Sequence, residues 1–202
     1  MKRVFLAAVL ALALPLAAYA KGVEFNDLFG TLTGSSAGLT LTGSTLTEVD
    51  GLSGLGLIQG ALGSVSFTTG MLTSGSLING GTFAAGGTFT ITGNGTGGIP
   101  NGVIFSGAFS KPVSWTEVTS GGAINYILTG AISGTWYDGP KANGATALIT
   151  VNAGKNGFAG SLTLGTGETI LNTSAVPEPG TLLLLGTGLV GLAGIVCREL
   201  KA

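Results

Sequence analysis

The sequence predicts an all-β protein: an antiparallel, sandwich-like ectodomain over residues 21–175, with an apolar segment at each end. Three observations predict it. β-Branched and aromatic residues alternate with polar ones at period two, in run after run. Glycine, at 38 of 202 positions, separates these runs and pairs with Asn and Pro in turn-forming combinations. No stretch of the middle keeps a 3.6-residue period, so helices have no pattern to build on.

The elements follow in order. From Thr31 to Gly63 the Leu-Thr pairs predict short strands or a partly ordered edge. Val65 and Phe67 then alternate with Ser64, Ser66 and Thr68, and Phe89 and Ile91 with Thr88, Thr90 and Thr92. Val103 and Phe105 flank Ile104, and Val113 and Trp115 alternate with Ser114 and Thr116. Ile124, Tyr126 and Leu128 form another run, followed by Ile149 with Val151 and by Leu162 with Leu164. Each is a half-buried strand pattern. Turns are predicted at Asn79-Gly80-Gly81, Gly93-Asn94-Gly95, Pro100-Asn101-Gly102, Gly121-Gly122, Asp138-Gly139-Pro140, Asn143-Gly144 and Asn156-Gly157. The predicted core holds Phe67, Phe83, Phe89, Phe105, Phe109, Trp115, Tyr126, Trp136 and Phe158. A β-solenoid is the second choice, because fragments such as Gly160-Ser161-Leu162 recur without a fixed period.

The ends carry targeting signals. Lys2 and Arg3 precede an apolar run from Val4 to Ala18, and Ala18-Tyr19-Ala20 is a small-x-small cleavage site. Residues 1–20 are therefore expected to be a signal peptide, cut by signal peptidase after Ala20. Thr181 to Cys197 lacks any charge and would span about 25 Å as a helix, enough for one transmembrane segment. Residues 198–202 form a short tail whose Arg198 and Lys201 predict a cytoplasmic C-terminus. An outer-membrane barrel is disfavoured, because aromatic girdles are missing and an α-helical span competes.

Composition excludes whole classes of function. Charged residues make up 8% and the net charge is -1, so there is no basic surface for nucleic acid. There is no histidine, which removes His-based triads and the usual zinc and iron sites, and the single cysteine cannot close an internal disulfide. No cofactor, metal or catalytic residue is expected.

One segment resembles a known family. Val176-Pro177-Glu178-Pro179-Gly180-Thr181, the apolar run and the basic end at Arg198 and Lys201 are similar to the PEP-CTERM sorting signal of bacterial exported proteins. The resemblance covers residues 176–202. It implies processing by exosortase, a membrane-embedded protease, with Pro177, Glu178 and Pro179 as the sorting motif. It further implies transient anchoring in the inner membrane and a Gram-negative source that makes exopolysaccharide, hence a biofilm setting. Prolines 177 and 179 fix φ and remove two N–H donors, so residues 176–180 should be extended.

Within residues 21–175 the acids are Glu24, Asp27, Glu48, Asp50, Glu117, Asp138 and Glu168. They read as solvated surface charges. Trp115, Trp136 and Tyr137 are the candidates for a sugar-stacking platform. Since Trp136 and Tyr137 are adjacent, one of them should point outward from a strand. The expected function is a non-enzymatic structural or adhesive protein of the cell surface or extracellular matrix, with exopolysaccharide as a candidate partner. A carbohydrate-binding module is the alternative, and a secreted two-carboxylate hydrolase a third.

Overall fold

The computed structural model describes residues 22–139 and 141–172, which form thirteen strands. In order these are β1 (Gly22–Leu28), β2 (Thr31–Ser35), β3 (Gly38–Asp50), β4 (Ile58–Thr68), β5 (Leu72–Ser76), β6 (Gly80–Phe83), β7 (Gly86–Asn94), β8 (Asn101–Phe109), β9 (Val113–Ser120), β10 (Ala123–Trp136), β11 (Lys141–Gly154), β12 (Ser161–Thr163) and β13 (Thr166–Asn172). The only helical elements among the described residues are single 3-10 turns at Leu52–Gly54 and Thr96–Gly98. The expected signal peptide and C-terminal span lie outside the described residues.

Every pairing is antiparallel, and eight strands close on themselves. The ring runs β10–β11–β13–β1–β3–β4–β7–β8 and returns to β10. Two long strands make this possible by changing partners along one edge. On β10, Ala123–Thr129 pairs with β9, while Ile132–Trp136 pairs with β8. On β3, Gly38–Thr42 pairs with β2, while Thr45–Asp50 pairs with β1. The strands β9, β6 and β5 thus branch off β10, and β2 and β12 branch off β3. At the β10 fork Gly130 packs against the Phe109 ring, and a Cβ there would collide with it.

The all-β, antiparallel expectation holds. The strands nevertheless join one continuous sheet, where the predicted sandwich has two separate ones. A solenoid is overturned outright, because its coils stack as parallel strands. Thr31–Gly63 is also not a loose edge: β3 is thirteen residues long and central to the ring. Register shifts between Leu41 and Ser44 and between Leu46 and Glu48 break its alternation, which hides it from a period-two reading. Asn143-Gly144 lies inside β11 and not in a turn. Asn143 pairs with Ser133 and Ala145 with Ile132, which leaves Gly144 as the extra residue of a bulge.

The inside of the ring is apolar. All nine predicted core aromatics are buried, joined by Phe25, Leu32, Leu39, Leu41 and Leu46. Eight strands leave a lumen that side chains just fill. Phe67 stacks parallel to Phe89 at 6.0 Å, and both meet Phe109 edge-on. A second aromatic group serves the β9 branch. Trp115 and Tyr126 stack 4.7 Å apart, with Phe158 edge-on to both. Each large side chain buried this way contributes about 1.5–3 kcal/mol.

Candidate functional site

The acids separate into two environments. Glu24 and Glu48 alternate outward on β1 and β3, and Asn26 lies between them. The Asn26 Nδ2 donates to Glu24 Oε1 and to Glu48 Oε1, each at 3.0 Å. Gln59 Nε2 donates to the other Glu48 oxygen at 2.7 Å. Glu168 pairs with Asn26 from the β13 side. Along the chain Glu24 lies near Asp27, and Glu48 near Asp50. The sheet register brings together Glu24 and Glu48 across 24 positions of chain. Among the described residues no three His, Cys, Asp or Glu side chains are grouped to hold a metal ion.

Asp27 corrects the surface-charge expectation, because it is buried. It follows Val23 and Phe25 in the same inward phase of β1, so the period-two pattern carried the signal. Ser44 Oγ donates to its Oδ2 and lies 3.2 Å from the Leu28 carbonyl, while Oδ1 has no partner. Burial pushes the Asp27 carboxyl up to about 6, and the Ser44 hydrogen bond only partly offsets this. Thr169 Oγ1 and Trp136 Nε1 are likewise buried without partners. Trp136 was expected in the core, whereas Asp27 and Thr169 were not singled out from the sequence as buried.

The three aromatic candidates do not form a platform. Trp115 is buried, and its Nε1 donates to the Leu77 carbonyl at 2.9 Å. Trp136 points inward, against Phe105 at 5.8 Å and Phe25 at 6.1 Å. Tyr137 alone is exposed, with its hydroxyl 3.0 Å from Ser53 Oγ. The adjacent pair splits across the sheet as alternation requires. Asp138 is exposed in the turn that follows.

The chain enters and leaves the sheet side by side, since Gly22 and Asn172 are register partners on β1 and β13. The sorting residues Pro177, Glu178 and Pro179, the cleavage residues Ala18 and Ala20, and Arg198 and Lys201 lie outside the described residues. Residues 175–198 match the family model of the PEP-CTERM protein-sorting motif. The chain carries a PEP-CTERM sorting signal. The match takes in Pro177, Glu178, Pro179 and Arg198, and starts three residues beyond the last strand position. A PEP-CTERM signal implies export, a membrane-anchored precursor and exosortase as the processing partner. No curated protein and no solved structure matches the chain.

Proposed function

We propose that this chain is an exported protein released from its anchor by exosortase, and that its β domain then serves a structural or adhesive role at the cell surface or in the extracellular matrix. The carrying observation is the PEP-CTERM match at 175–198, placed directly after a β domain that ends at Asn172. Signal peptidase removes residues 1–20, the inner membrane holds residues 181–197, and exosortase acts at Pro177-Glu178-Pro179. The distribution of side chains supports a water-exposed domain. Its ring is apolar inside and rich in Ser and Thr outside, the reverse of a lipid-facing barrel.

The role is non-enzymatic in this reading. The Oε1 atoms of Glu24 and Glu48 both accept from the Asn26 Nδ2, each at 3.0 Å, so these two oxygens lie at most 6 Å apart, within reach of the carboxyl spacing of two-carboxylate hydrolases. The amides of Asn26 and Gln59 bind Glu24 Oε1 and both Glu48 oxygens, which supports a structural role for the pair.

Fractionation tests the sorting step. Pro177, Glu178 and Pro179 are replaced together by Ala in a host with a working exosortase, with a tag inserted after Lys21. The wild-type protein should appear shortened outside the membrane, and the variant full-length within it. A wild-type chain that stays full-length would make residues 177–202 an ordinary anchor.

A further inference from the structure

No charged residue occurs from Gly51 to Ser110, a run of sixty positions. That run contains all of β4 and β5 through β8, so three adjacent ring strands, β4, β7 and β8, carry no ionisable side chain. Protein surfaces are ordinarily about a quarter to a third charged. The inward positions of these strands are Val65, Phe67, Phe89, Ile91 and Phe105, all buried. The alternate positions of β4 and β7 carry hydroxyls, and on β8 Ser106 shares this face with the exposed Val103, the register partner of Thr92. Ser64 pairs with Thr92, and Ser66 with Thr90, which in turn pairs with Ser106. These five side chains are exposed or half-buried. Thr68 and Thr88 hydrogen-bond to each other at 3.0 Å, whereas the five make no protein hydrogen bond among the described residues. Sheet geometry sets them about 4.8 Å apart across strands and about 6.7 Å apart along them.

We infer that this face, Ser64, Ser66, Thr90, Thr92 and Ser106, binds an uncharged, hydroxyl-rich polysaccharide. The inference rests on the proposed role at the surface or in the matrix and names its ligand class. A hydroxyl both donates and accepts, so it matches another hydroxyl in either sense. A face without charge offers nothing to pair with an anionic or cationic polymer. Single hydroxyl contacts compete closely with water. A two-dimensional array meeting a repeating chain makes many contacts at once, and linked contacts raise avidity without any one being strong.

The test is retention of the full chain, in detergent micelles, on beads carrying dextran, mixed-linkage β-glucan or alginate. The expected result is retention on a neutral glucan that survives raised salt, with none on alginate. Ser66→Lys with Thr90→Lys should weaken retention at least tenfold, whereas Thr150→Lys on β11 should leave it unchanged. If the lysines unfold the domain, Ser66→Ala with Thr90→Val removes the hydroxyls while keeping shape and strand propensity, and the same loss is expected. No retention on either neutral glucan, or retention that ignores both variant pairs, overturns the inference. So does a dimer that forms without glucan and is lost in the same variants, which would assign the face to a second copy. Glucan binding that persists while the chain stays full-length in the membrane overturns the sorting reading alone.

Discussion

Gly167 lies opposite Asp27 on the β13–β1 pair, and a Cβ at that position would collide with the Asp27 carboxyl. The missing side chain is what lets an acid enter the apolar interior. Gly167→Ala should therefore destabilise the domain by about 1–3 kcal/mol, the usual cost of overpacking. The urea midpoint of the purified protein measures it, and an unchanged midpoint would show that the carboxyl has room to move.

Asp27 also gives stability a pH dependence of predictable sign. Its carboxyl titrates near 3.8 in the unfolded chain and at about 6 in the fold, so the folded state binds the proton more tightly. This contribution is fully present below pH 3.8 and is lost as pH rises through about 6. The loss is about 2–3 kcal/mol at neutral pH. The difference in melting temperature between wild type and Asp27→Asn should widen in favour of the variant from pH 4 to pH 7. A difference that stays flat across that window contradicts the buried carboxyl whose Oδ1 lacks a partner.

Tyr126 ties two loops to the branch sheet. Its hydroxyl donates to the Ile78 carbonyl at 2.6 Å and accepts from the Phe158 amide at 3.1 Å. Tyr126→Phe keeps the stack on Trp115 but leaves both loop groups unpaired, at a cost of about 1–3 kcal/mol. Amide hydrogen exchange at Phe158 should accelerate, and unchanged protection there would rule out the bond.

Residues 21–173 contain neither cysteine nor histidine. Dithiothreitol and chelators should leave the melting temperature unmoved, as read by differential scanning fluorimetry. A calcium-dependent shift would instead point to the exposed Asp138 turn.

What the sequence determined by itself was local. Alternation is a property of the extended chain, so the nine buried aromatics and the split of Trp136 inward from Tyr137 outward were readable from neighbouring residues alone. The same holds for the sorting signal, which is a contiguous motif with its own order of Pro-Glu-Pro, apolar run and basic end. Asp27 follows Val23 and Phe25 in the same inward phase, yet no strand is predicted over residues 22–28, so its acid reads as solvated. Only the tertiary structure decided which strands pair. The ring closes because β10 and β3 each change partners partway along one edge, and the bulge at Gly144 accommodates a residue that reads as a turn. Pairing joins segments far apart in the chain, so no local period encodes it. The meeting of Glu24 with Glu48 and the rows of hydroxyls across β4, β7 and β8 depend on that pairing, and they appear only once the register is fixed.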